Sequence, residues 1–238
     1  MDDLPRTSPA VVAVAWAGLA VFMVSLNGGF VAFLWRMGES DGPTDRALTN
    51  AVINALLFTI FALHHSFLAR TGAKRGVVAL VGPRLERSVY VWVASLIYIA
   101  VWWLWRDLPG HAYRHLGALA AVHWAIVALG FAITLAAARL IDPLDLAGVR
   151  QASRTTQTSP LEVSGPYHLV RHPIYLGWLL IVFGPPDMTW TRVEFAIVSS
   201  AYLVLAVPFE ERSLVATFGE SYRAYQRSVR WRIVPGVW

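Results

Sequence analysis

No cysteine occurs in the 238 residues, which excludes disulfides, thiolate metal sites and a covalent cysteine nucleophile. Charge is scarce too: Asp, Glu, Lys and Arg make up 15% of the chain, where soluble domains carry about a quarter, and 56% is hydrophobic. An ordinary soluble domain is thereby excluded, and a mean hydropathy of +0.51 points to lipid. Sequence repeats and low-complexity tracts are missing as well. Nor does the chain open like a secretory signal. Its first apolar run, Pro9 to Trp35, far exceeds a signal core of roughly 7–15 residues and follows Asp2 and Asp3, not a basic cluster. It reads as a retained membrane helix.

What the chain does have is apolar runs of spanning length. Pro9 to Trp35, Ala47 to Leu68, Ser88 to Trp105 and Leu116 to Ala138 each hold close to the 20 or so residues that cross a hydrocarbon core. Pro173 to Phe209 differs, because Gly184, Pro185 and Pro186 interrupt it. It predicts a helical hairpin with a short first arm, or one that begins near Tyr167 with a kink at Pro173. Beyond it, Leu214, Phe218, Tyr222, Tyr225 and Val229 recur at helical spacing opposite Arg212, Glu220, Arg223 and Arg227. Glu210 to Val229 therefore reads as an amphipathic helix on the membrane face or over a site, with Gly219 as a candidate break. The fold class is all-α: a polytopic membrane protein of about six transmembrane segments, including the C-terminal hairpin, plus an amphipathic C-terminal helix.

The net charge of +5 and the pI near 9.9 come from basic residues in short loops between apolar runs. That distribution fits anionic lipid headgroups and gives no nucleic-acid partner. With six spans, fifteen of the twenty Lys and Arg fall on one side, among them Arg6, Arg70, Arg154 and Arg171, and five on the other, namely Arg36, Arg46, Arg106, Arg114 and Arg192. The richer side is cytoplasmic, and both termini with it. Trp35, Trp102, Trp103, Trp105 and Trp190 fall near the opposite interface, where amphipathic rings gather.

Chemistry concentrates in GPYHLVRHPIYLG, Gly165 to Gly177, where two histidines, an arginine and two tyrosines meet the point at which the chain re-enters the membrane. With Pro173 at the first helical position, His172 becomes the cap and the next amides are open to an anion. Glu210 and Glu211 end the second arm of the hairpin on the same side, where Arg171, His172 or a substrate amine would stabilise them. Bland readings stand beside these: Arg171 as a membrane anchor, the two glutamates as the first turn of a surface helix, and His64 and His65 as packing. His168 and His172 have the i, i+4 spacing of a helical metal pair, but Pro173 argues against continuous helix there and no metal is expected.

Taken in order, GPYHLVRHPIYLG, the hairpin, FEERSLVATFGESYRAYQ and a final IVP resemble the isoprenylcysteine carboxyl methyltransferase superfamily and its phospholipid methyltransferase relatives. HHSFLAR, ERSVYVWVASL, IDPLDLAGVRQ and PPDMTWTRVEFAIVSSAYLVLAV are similar to a narrower group, the NnrU-like proteins and methanethiol S-methyltransferases, and extend the resemblance over about residues 60 to 235. It implies one membrane domain, with residues 9–140 as a four-helix scaffold and 160–235 as the cofactor-binding and catalytic part. It implies S-adenosylmethionine as methyl donor, with Tyr167, His168, Leu169, Val170, His172, Pro173 and Gly177 in or beside the donor site and Glu210 and Glu211 closing it. Arg171 and Glu211 are implied to be needed for transfer.

The expected activity is methylation of a small or lipophilic thiol in a bacterial inner membrane, with Arg171 stabilising the thiolate and Glu211 or His172 accepting its proton. Carboxyl methylation of an isoprenylcysteine-like group, methylation of a lipid amine, and a non-catalytic accessory role remain alternatives. The sequence names no acceptor and no oligomeric state.

Overall fold

A computed structural model describes residues 8–68, 71–153 and 160–238; Arg6, Arg70 and Arg154, counted in the charge asymmetry, lie outside them. In chain order the helices are α1 (Pro9–Leu34), α2 (Ala47–Leu68), α3 (Thr71–Val81), α4 (Glu86–Leu104), α5 (Gly117–Ala138), α6 (Pro143–Leu146), α7 (Val149–Ser153), α8 (Pro173–Phe183), α9 (Trp190–Phe218) and α10 (Glu220–Ser228). α1, α2, α4, α5 and α9 are long and apolar enough to cross a membrane. The protein is an all-α polytopic membrane protein. α8 has 11 residues, about 16 Å of helix against a core of about 30 Å, and is the short arm of the expected hairpin.

The hairpin closes through a small antiparallel ribbon that the sequence did not announce. β1 (His111–Arg114) pairs with β2 (Asp187–Thr189), with His111 opposite Thr189 and Arg114 opposite Asp187. Thr189 then caps α9 by accepting from the Arg192 amide at 3.1 Å.

The chain forms two compact units. In the first, within 1–32, 56–105 and 142–158, α1 and α4 meet through small residues. A Cβ at Gly28 would stand 2.7 Å from the Trp102 ring, and one at Gly29 2.7 Å from the Tyr98 hydroxyl. Trp102 Nε1–H donates to the Ser25 carbonyl at 3.2 Å. His65 Nδ1 lies 2.8 Å from the Tyr90 hydroxyl and His64 stacks on the Tyr90 ring, so both histidines are built into packing in this unit.

The second unit, within 33–55, 106–141 and 159–238, holds α5, α8, α9 and α10. α5 and α8 cross backbone to backbone: a Cβ at Gly130 would lie 2.8 Å from the Gly177 carbonyl oxygen, and one at Gly177 2.7 Å from that of Gly130. Such close approach is how helices associate where lipid supplies no hydrophobic drive between them.

Three expectations need correction. α9 does not stop at Phe209 but runs through Pro208 to Phe218, and the break falls at Gly219, whose φ of 58° suits glycine. Proline is tolerated inside membrane helices because neighbours re-satisfy the freed carbonyl. Trp105, expected among the interfacial rings, is 2% exposed, whereas Trp35 and Trp103 are 72% and 71% exposed. Arg192, counted as an outer loop charge, is buried and donates to the carbonyls of Phe33, Leu34 and Asp187, capping the end of α1.

Candidate active site

Proline fixes where the site begins. Pro173 starts α8 and leaves His172 as its flanking residue, at φ −125° and ψ 67°. Upstream, Gly165–His168 forms a single 3-10 turn, so His168 and His172 do not share a helix. The backbone between is held by the C-terminal segment. The Arg171 amide donates to the Trp231 carbonyl at 2.9 Å and the His172 amide to the Arg232 carbonyl at 2.8 Å.

The Arg171 side chain is buried and committed. Nε–H donates to Glu211 Oε1 at 2.6 Å, and Nη1 donates to the carbonyls of Val229 and Arg230 at 2.7 and 2.9 Å. Glu211 Oε1 also lies 3.5 Å from His172 Nε2, while Oε2 accepts from Gln226 Nε2 at 3.3 Å and faces Arg232 Nε at 3.4 Å. Glu210 precedes it by one helical residue and so points about 100° away. Its Oε2 accepts from the Tyr175 hydroxyl at 2.7 Å and stands 3.5 Å from His172 Nδ1. The imidazole therefore sits between two carboxylates, stacked on Tyr175 with ring centroids 5.3 Å apart. Removing one partner from a buried ionic cluster of this kind costs about 3–5 kcal/mol, because the other charge is left uncompensated.

α10 walls the site with tyrosines. Tyr222, Tyr225 and Val229 are buried against Leu161, Val163, Tyr167, Leu214, Val215 and Phe218. Its apolar face is thus turned to the protein, which favours the over-the-site alternative. The Tyr225 hydroxyl donates to the Tyr167 carbonyl at 2.7 Å. Burial, helped by the charges of Glu210 and Glu162, pushes the Tyr167 phenol up to about 12.

Tyr167, Arg171, His172, Glu210 and Glu211 are thus brought together as the sequence led one to expect. Val170 is buried with Leu176, Val207 and Ile233, Pro173 is buried at the helix start, Gly177 lies at the α5–α8 crossing, and His168 and Leu169 are exposed. Among the described residues no group of three or more His, Asp or Glu is arranged to hold a metal. Sequence reasoning missed Tyr175, Gln226 and Arg232. Gln226 follows Tyr222 by four residues and so shares its helical face, a signal that was there to be read. Arg232 gave none beyond its place in RSVRWRIVP.

No protein-family model matches the chain, and neither does any solved structure. It is 38% identical to methanethiol S-methyltransferase 2 of Bradyrhizobium diazoefficiens over 90% of each chain. It is 37% identical to the methanethiol S-methyltransferase of Mycobacterium tuberculosis over 89% of this chain and 92% of that one. The chain belongs to the methanethiol S-methyltransferase family. A more distant likeness, 28% identity over 83% of this chain and 80% of the other, joins it to nurim of Xenopus laevis. Membership agrees with the NnrU-like motifs and the wider isoprenylcysteine carboxyl methyltransferase pattern, and with five spanning helices it makes the protein an integral membrane methyltransferase.

Proposed function

We propose that this chain transfers the methyl group of S-adenosylmethionine to the sulfur of a small thiol of the methanethiol kind. The names of its relatives support the acceptor class, and the arrangement around His172 supports the reaction.

When bound, S-adenosylmethionine supplies a methyl group on a positively charged sulfur, which a thiolate takes by in-line displacement, the electron pair remaining on the departing thioether. The residues present fit such a donor. Arg171 Nη2 makes no hydrogen bond among the described residues, so it is open to a carboxylate beside the start of α8, and Glu210 is well placed for an amine because its side chain is 42% exposed. Tyr167, with the exposed His168 and Leu169, stands just before Arg171 and His172 in the chain.

A thiol must shed its proton to attack. Glu211 is a poor acceptor, since both oxygens face cations or donors. His172 is the better base. With Nδ1–H turned to Glu210, Nε2 keeps a lone pair and has no hydrogen-bond partner among the described residues. The proton taken there makes an imidazolium that Glu210 and Glu211, each 3.5 Å from one ring nitrogen, stabilise, and Nε2 gives it up to water once the products have left.

The reading extends to location: a bacterial inner membrane with both termini and this site on the cytoplasmic side, supported by the asymmetry of basic residues. Purified protein given labelled adenosylmethionine with methanethiol, a prenylcysteine or a phospholipid amine should label the thiol. Label on the prenylcysteine carboxyl or the amine instead would overturn the acceptor class.

A further inference from the structure

Tyr222 is 1% exposed, and its hydroxyl has no hydrogen-bond partner among the described residues. Its neighbour Tyr225 has one, the Tyr167 carbonyl. A buried hydroxyl left unpaired costs free energy that phenylalanine would spare, so the tyrosine calls for a reason. Burial, with the Glu211 carboxylate in electrostatic reach, holds the Tyr222 phenol above its ordinary value, so it stays protonated and acts as a donor. Tyr222, Tyr225 and Val229 form one buried cluster against Leu161, Val163, Tyr167, Leu214, Val215 and Phe218, largely apolar surroundings that suit a methyl-sized group beside the hydroxyl.

His172 Nε2 is the other buried polar atom of the site without a hydrogen-bond partner among the described residues. One is a donor and the other an acceptor. A carboxylate would call for two donors, whereas a sulfhydryl presents one proton to give and sulfur lone pairs to receive. The two atoms therefore match a thiol.

We propose that the Tyr222 hydroxyl donates a hydrogen bond to the sulfur of the acceptor thiol while His172 Nε2 takes its proton, making Tyr222 a specificity-determining residue. This rests on the thiol reading above. The hydroxyl stabilises the thiolate that remains on sulfur and itself gains and loses no proton.

The test is Tyr222→Phe in the full-length protein, with methanethiol as acceptor. Without ligand, the melting temperature should be unchanged or higher, because the lost hydroxyl had no protein partner. Binding of the demethylated donor, S-adenosylhomocysteine, by calorimetry should be unchanged. KM for methanethiol should rise at least tenfold, and the acid limb of the kcat profile should move to higher pH, since the bound thiol is harder to ionise. An unchanged KM and pH profile would overturn the proposal, and so would a tenfold loss of S-adenosylhomocysteine affinity with KM intact. A variant that fails to fold would overturn it as well, by showing the hydroxyl to be structural. Failure of the thiol reading is seen separately, as wild-type protein that binds S-adenosylhomocysteine but methylates no thiol.

Discussion

Arg171 and Glu211 stand forty residues apart in sequence and 2.6 Å apart in the structure, joined Nε to Oε1. The same guanidinium holds the carbonyls of Val229 and Arg230, so one side chain ties the approach to α8, the middle of α9 and the C-terminal segment together. A mere membrane anchor would have its guanidinium among headgroups and not on two carbonyls and a carboxylate.

Arg171→Lys separates these roles. Lysine keeps the charge but cannot reach a carboxylate and two carbonyls as one planar fork. The protein should still insert, its melting temperature should fall, and methyl transfer should drop at least tenfold, about 1.4 kcal/mol of transition-state stabilisation. Wild-type turnover in the lysine protein would leave Arg171 a structural tie with no part in transfer.

Much of this site was legible because its parts are local in sequence: Pro173 sets the helix start, and GPYHLVRHPIYLG delivers Arg171, His172 and Tyr175 within a few residues. The partners were harder to read. Glu210 and Glu211 looked like the beginning of a surface helix because proline precedes them, yet α9 continues through Pro208 and directs the two carboxylates to different neighbours. Hydropathy found four of the five long spans outright and the fifth, α9, only as the second arm of an interrupted run. It does not record the pairing of α5 with α8, which depends on Gly130 and Gly177 lacking a side chain, nor the ribbon formed by β1 and β2. Arg192 shows the limit of charge counting, since a buried cap and a loop anchor are the same letter in sequence.

The crossing of α5 and α8 is itself testable. A Cβ at Gly177 would come 2.7 Å from the Gly130 carbonyl oxygen, backbone that cannot rotate away. Gly177→Ala should cost about 1–3 kcal/mol, the usual penalty of overpacking. Gly130→Ala should do the same, and the double variant should be less than additive because both relieve one contact by spreading the same helices. Denaturation in detergent reads all three.

Arg192→Met keeps much of the volume and removes the donors to three carbonyls, those of Phe33, Leu34 and Asp187. Stability should fall by at least about 2 kcal/mol, since buried carbonyls lose their partners. Affinity for S-adenosylhomocysteine, measured on the protein that remains folded, should be unchanged. A loss of affinity would mean that Arg192 serves the site as well as the cap.

Reporter fusions test the proposed orientation. A fusion after Trp238 should report the cytoplasm, and one placed between Arg106 and Arg114 the opposite side. Both on one side would contradict the reading that fifteen of twenty basic residues mark the interior.

The tyrosine wall predicts a stability loss in alkali. Tyr167 is pushed up to about 12 from its ordinary 10.0, by burial first and by Glu210 and Glu162 next, and Tyr222 and Tyr225 are raised in the same direction, chiefly by burial. A raised pKa means the folded protein holds the phenolic proton more tightly than the unfolded chain does. The associated stability is fully present below about pH 10, where both states are protonated, and is lost as pH climbs from 10 toward 12. The melting temperature should therefore hold between pH 8 and 9.5 and fall steeply above 10. Tyr167→Phe should soften that fall, because phenylalanine has no proton to lose and the Tyr225 hydroxyl still finds the residue-167 carbonyl. An alkaline limb as steep in the phenylalanine protein as in the wild type would show that Tyr167 ionises without consequence for folding, and would place the loss on the other two rings.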